Sequence, residues 1–213
     1  MLVLPAVVPV PFLNFSPELL LRAQGVKVVF FDVDGVLTDG GLYFSEYPDG
    51  HEHAEKNTDG NADKEADFRP SGETIKRFNT LDGHGLKMLQ KAGITPVVIT
   101  GRDSSVLRAR LRALGIVHAH FGTEDKQPAA EQTLLALGLE WSAAAAMGDD
   151  WPDLPVMSRA ALSCAPANAH IEVRRRAHHV TLSKGGQGAV REFCDLLLVA
   201  SGHYADMLRK YLV

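Results

Sequence analysis

The run KVVFFDVD at positions 27–34 restricts the possible folds more than any other stretch of this chain. Its β-branched and aromatic residues are apolar without alternation, the pattern of a strand buried on both faces. Such a strand needs helices above and below its sheet, so an α/β fold is expected. The run breaks at Gly35, and a Thr-Asp-Gly-Gly turn follows at 38–41.

Upstream, Ser16 followed by Pro17 predicts an N-cap and a first helical residue, hence a short helix Ser16–Gln24 that Gly25 ends. Downstream, the spacing predicts helix Leu81–Ala92, strand Thr95–Thr100, helix Ser104–Leu114, strand Val117–Phe121, helix Pro128–Leu137 and strand Ala143–Met147. A short helix near Leu154–Arg159, strand Ala161–Ala165, a helix near Ala169–Arg176, strand His179–Leu182 and a long helix Ala189–Ser201 complete the series. This alternation predicts a doubly wound, mostly parallel sheet of the Rossmann-like kind, carried by residues 26–201. Residues 1–25 form an N-terminal extension and 202–213 a C-terminal tail.

One interval interrupts the alternation. Leu42–Phe44 and Thr74–Phe78 read as the arms of a protruding β-hairpin around an insertion at 45–72. The insertion holds eight acidic side chains against three basic ones and few large apolar residues, so a mobile tip is expected. His51 and His53 within it read as a solvated pair, and Arg174–Arg176 as a solvated helix end. The whole chain has a net charge of only −4, which argues against a nucleic-acid partner. Cys164 and Cys194 read as small core residues. Pro5, Pro9 and Pro11 break the apolar N-terminus, and no uninterrupted apolar run of about eighteen residues occurs. A cytoplasmic protein without a membrane span is therefore the expectation.

In a doubly wound sheet, ligands bind beyond the carboxyl ends of the strands. There the first strand delivers Asp32 and Asp34, the second Thr100, and the fourth Asp149 and Asp150, while the third leads to Lys126. Carboxylates gathered so closely repel one another unless a cation or proton intervenes. An all-oxygen site of this kind suits magnesium, which keeps some waters and takes substrate phosphate as a ligand.

FFDVDGVLTD resembles the first signature of the haloacid-dehalogenase-like superfamily, and Thr100, Lys126 and GDDxxD (148–153) match its other three in order. FNTLDGHG, VVITGRDSS, GDDWPDLPVM and GGQGAVREFCDLLL further resemble the family of 3-deoxy-D-manno-octulosonate 8-phosphate phosphatases, which serve lipopolysaccharide synthesis. The resemblance covers roughly residues 26–44 and 74–202. It implies that Asp32 attacks phosphorus and becomes an aspartyl phosphate, and that Asp34 protonates the leaving sugar oxygen and then accepts a proton from water. Mg²⁺ would be held by the carboxylates of Asp32 and Asp149 and by the main-chain oxygen of Asp34. Thr100 and the Gly101 amide would grip phosphoryl oxygens, Lys126 would neutralise charge beside Asp32, and Arg102 would read the sugar carboxylate. Asp150 and Asp153 keep two readings, as part of the metal shell or as an orienting group and a helix cap.

Two positions depart from the family pattern, which has Arg where this chain has Leu81 and commonly has Arg at Gln187. They leave open a related nine-carbon sugar acid phosphate or another phosphosugar as substrate. A phosphorylated receiver domain and a non-catalytic assembly module are the other classes. The Asp-x-Asp spacing weighs against the receiver, and the intact acid set against the assembly module. The short spacings after Thr100 and Lys126 leave no room for a cap domain. With the resemblance, this implies a homotetramer assembled through its hairpins, whose tail reaches toward a neighbour's site.

Overall fold

The computed structural model describes residues 13–43 and 75–212. A six-stranded sheet runs in the order β3-β2-β1-β4-β5-β6, with every neighbouring pair parallel. The strands are β1 (Val28–Phe31), β2 (Thr95–Ile99), β3 (His118–His120), β4 (Ala144–Met147), β5 (Leu162–Ala165) and β6 (His179–Val180). The helices are α1 (Pro17–Ala23), α2 (Thr80–Lys91), α3 (Ser105–Leu114), α4 (Lys126–Leu137), α5 (Leu154–Arg159), α6 (Ile171–Arg176), α7 (Ala189–Ala200) and α8 (Tyr204–Arg209). Among the described residues, no helix is long and apolar enough to cross a membrane.

The unbroken apolarity of β1 has a direct cause. Val29 and Phe31 point into a core layer shared with α1, α2, α3 and α7, whereas Val28 and Phe30 enter the opposite layer with α4, α5 and α6. All four are buried, so both faces of the strand must be apolar. Each large side chain buried this way contributes about 1.5–3 kcal/mol. The chain winds from β1 outward through β2 to β3, then returns to β4 on β1's other side. The switch point therefore lies between β1 and β4, where Phe31 pairs with Met147.

Local signals set most helix starts. The Ser16 hydroxyl accepts from the Leu19 amide, the Asn79 side chain from Leu81, and the Ser104 hydroxyl from Leu107. Helix α4 begins two residues before the expected Pro128. Pro is tolerated in a first helical turn because the amides there lack intrahelical acceptors anyway. Helix α7 has Gly188 at its N-cap, which has no side chain with which to cap. Asp82 of α2 takes that task, its carboxylate accepting from the amides of Gly188 (3.3 Å) and Arg191 (2.8 Å). The segments carrying Leu81 and Gln187 are thereby tied together.

One expectation is corrected. The described parts of the hairpin arms, Leu42–Tyr43 and 75–78, contain no strand. Their polar side chains are instead drawn to carboxylates at the sheet's end: Lys76 to Asp34 and Arg77 to Asp39. Phe44, Thr74, the acidic insertion with His51 and His53, and residues 1–12 lie outside the described residues. The C-terminal tail begins at Gly202. It folds as α8, with Tyr204 and Met207 packed against the core, because an amphipathic turn here covers apolar surface left by α2 and α7. Tyr211 then meets the ring of His84 edge-on.

Candidate active site

The strand ends on either side of the switch point converge on one open cleft of about 520 Å³. Asp32, Asp34, Thr100, Gly101, Arg102, Lys126, Asp149, Asp150 and Asp153, all singled out from the sequence, line it together with Glu124 and Pro152. Asp32 follows β1 directly, and its amide donates to the Met147 carbonyl at 3.0 Å, which keeps it in register with the end of β4. The chain then turns at Gly35, whose φ is +86°. A β-carbon there would stand 2.0 Å from an Asp149 carboxylate oxygen, so only glycine lets the two strand ends come this close.

A second close approach braces the same loop. A β-carbon on Gly185 would lie 1.8 Å from the Gly35 carbonyl oxygen. Asn168 bridges the two segments, donating to that carbonyl at 2.9 Å and accepting from the Gly185 amide at 2.6 Å. The GGQG motif thus supports the loop after β1 from behind.

Lys126 is the electrostatic hub. It is 6% exposed, and its ammonium donates to both Asp32 Oδ1 and Asp153 Oδ1 at 2.6 Å. Lys126 opens α4 and points inward, which sets its charge beside Asp32. Asp153 is a fork: its other oxygen accepts from the amides of Asp149 (2.9 Å) and Asp150 (3.2 Å). Asp150 is exposed and caps the short turn at Trp151–Asp153, accepting from the Trp151 amide at 2.8 Å. Thr100 is buried, its hydroxyl accepting from the Arg102 amide at 3.3 Å.

Three carboxylates, Asp32, Asp149 and Asp153, offer oxygens within 4.8 Å of one another. Burial, then the charge of Asp153, pushes the Asp32 carboxyl up to about 6 although Lys126 pulls it down. Burial, then Asp32, Asp153 and Asp150, pushes Asp149 up to about 8. Burial alone would lower Lys126, but Asp32 and Asp153 outweigh it and raise it. The cluster is thus short of positive charge at neutral pH, and its hard oxygen donors fit a divalent cation between Asp32 and Asp149. Asp153, already engaged by Lys126 and two amides, is suited to orienting the other two.

Two features were not legible beforehand. Lys76 reaches Asp34 from a segment read as a hairpin arm, and no local signal marks it. Asp153 was visible as a cap in GDDxxD, but its bond to Lys126 was not.

Comparison with known proteins bears on this arrangement. Residues 116–193 match the haloacid dehalogenase-like hydrolase family model. Over 185 residues, 87% of this chain and 86% of the relative, the sequence is 38% identical to 3-deoxy-D-manno-octulosonate 8-phosphate phosphatase from Yersinia pestis. A crystal structure of a probable YrbI family phosphatase from Pseudomonas syringae superposes with a TM-score of 0.79 at 42% identity, covering 93% of this chain and 99% of that one. The 3-deoxy-D-manno-octulosonate 8-phosphate phosphatase of Moraxella catarrhalis, solved with magnesium, phosphate and KDO, superposes at 0.77 with 31% identity, over 91% and 98% of the two chains.

Proposed function

Because the chain belongs to the haloacid-dehalogenase-like hydrolases, and within them to the 3-deoxy-D-manno-octulosonate 8-phosphate phosphatases, we propose that it hydrolyses that sugar acid phosphate in lipopolysaccharide synthesis. The observation that carries the reading is the meeting of Asp32, Asp34, Thr100, Lys126 and Asp149 in one cleft at the switch point. The acid set belongs to a hydrolase rather than a scaffold.

Asp32 is the nucleophile, and its carboxylate attacks phosphorus to form an aspartyl phosphate. Thr100 and the Gly101 amide hold phosphoryl oxygens, and Lys126 balances charge as it shifts onto them. Asp34 protonates the departing sugar oxygen, then takes a proton from the water that releases phosphate. Mg²⁺ would be held by the carboxylates of Asp32 and Asp149 and the main-chain oxygen of Asp34, and would supply the positive charge that lets a phosphate approach these acids. Arg102, half-exposed at the cleft's rim, presents a guanidinium to the sugar carboxylate.

Leu81 is exposed and Gln187 is uncharged, so recognition of the carboxylate rests on Arg102. Specificity constants should therefore favour 3-deoxy-octulosonate 8-phosphate over neutral hexose phosphates by about tenfold or more, the scale of one charge-assisted bond. Equal constants would reduce the enzyme to a generic phosphatase. Preference for a nine-carbon sugar acid phosphate would move the assignment to that substrate.

The enzyme works in the cytoplasm on this small metabolite, without nucleic acid or membrane, as a homotetramer whose neighbours help close the cleft. Among the described residues no cap element lies over the cleft, and Leu42, Tyr43 and Ile75 at the flanks of the insertion are exposed apolar side chains. Sedimentation of the full chain tests this, and a fully active monomer would refute it.

A further inference from the structure

Lys76 lies on the segment that leads into α2, and its ammonium is 2.6 Å from Asp34 Oδ1 with the lysine side chain only 2% exposed. Burying an ammonium carries a desolvation penalty of roughly several kcal/mol even after relaxation, so this pair is unlike a solvated surface bridge. The other oxygen of Asp34 has a different neighbour. Arg102 Nε stands 3.7 Å from Oδ2, beyond hydrogen-bond distance, on a side chain that is 50% exposed at the cleft. One oxygen of the carboxylate is pinned from inside the protein, and the other faces the space where substrate enters.

Resting on the phosphatase reading, we propose that Lys76 is a positioning residue for proton transfer: it occupies Asp34 Oδ1 and so assigns Oδ2 as the oxygen that exchanges the proton. As the ester P–O bond breaks, its electron pair goes to the sugar oxygen, which takes the proton from Asp34 Oδ2 while the phosphoryl group bonds to Asp32. In the second half, water attacks phosphorus and gives a proton to Oδ2. The bond from Asp32 to phosphorus then breaks, and the Asp32 carboxylate is restored. With Oδ1 held by Lys76, the carboxylate cannot rotate its transferring oxygen out of line, and alignment of this kind governs the rate of the step.

The test uses leaving groups that differ in their need for a proton. Lys76→Met keeps the stem and removes the charge, and Lys76→Gln keeps an N–H donor. Each variant, as the full chain with Mg²⁺, is assayed for kcat/KM on 3-deoxy-octulosonate 8-phosphate and on p-nitrophenyl phosphate, whose leaving group departs without protonation. The ratio kcat/KM reports steps only through departure of the leaving group, so the later role of Asp34 with water does not enter. For Lys76→Met the sugar ester should lose about 10²-fold, the lower end of what general acid catalysis contributes, and the aryl ester at least about tenfold less. Lys76→Gln should fall between wild type and Lys76→Met. Equal losses on both esters would overturn the proposal and leave Lys76 a support of the fold. Melting curves show whether each variant folds, and if Lys76→Met does not, the ratio for Lys76→Gln decides. A wild-type enzyme that turns over neither ester would overturn the phosphatase reading instead.

Discussion

Asp32→Asn should abolish turnover while leaving the metal-free protein at least as stable as wild type at pH 8. The loss of activity should reach about 10⁴-fold or more, as when the nucleophile is removed from a set of groups that act as a unit. An amide neither attacks phosphorus nor carries the charge that binds a cation. The stability half follows from the crowding of acids. Asp32 is pushed up to about 6 by burial and by Asp153, so ionising it within the fold is unfavourable. The sign is that of an acid raised above its unfolded value: the penalty is absent below the ordinary value, grows as pH rises through about 6, and is complete above it. Asparagine removes the penalty and keeps an oxygen that accepts from Lys126. The stability difference should therefore shrink as the pH is lowered through 6, and Mg²⁺ should raise the wild-type melting temperature more than the variant's. Calorimetry at several pH values checks this. Residual phosphate release near the wild-type rate from purified variant would sink the covalent mechanism.

Lys126→Met should damage both activity and stability. Its ammonium is the shared partner of Asp32 and Asp153, and their side chains are 10% and 7% exposed. Removing it leaves two buried carboxylates facing one another and Asp149. Breaking one partner out of a buried pair typically costs about 3–5 kcal/mol. The Asp153 fork would be disturbed as well, since Lys126 and the amides of Asp149 and Asp150 hold its two oxygens together. Turnover should fall by about 10²–10³-fold, the scale of losing one preorganised charge at the phosphoryl group. Urea unfolding of metal-free protein measures the first effect and steady-state kinetics with Mg²⁺ the second. An unchanged urea midpoint would show that Lys126 does not balance the acids in the fold. The opposite signs expected for Asp32→Asn and Lys126→Met in stability make the pair a direct test of the charge account.

The architecture was legible in the chain because its causes are local or periodic. Apolar runs without alternation, such as 28–31, mark strands covered on both faces, and Ser16 caps α1 through a bond to the amide three residues on. Once the strands are placed, Asp32, Thr100 and Asp149 must stand at their carboxyl ends, since a parallel sheet brings all those ends to one side. What only the tertiary structure decided are the partners. Lys126 meets Asp32 across 94 positions and Asp153 across 27, Lys76 meets Asp34 across 42, and Asp82 caps α7 from 106 positions away at Gly188. Pairs like these have no periodicity, and a charged residue in a polar stretch has the same local sequence whether it is solvated or buried. The choice is made when the sheet closes and burial leaves each ammonium and carboxylate no solvent with which to replace its partner.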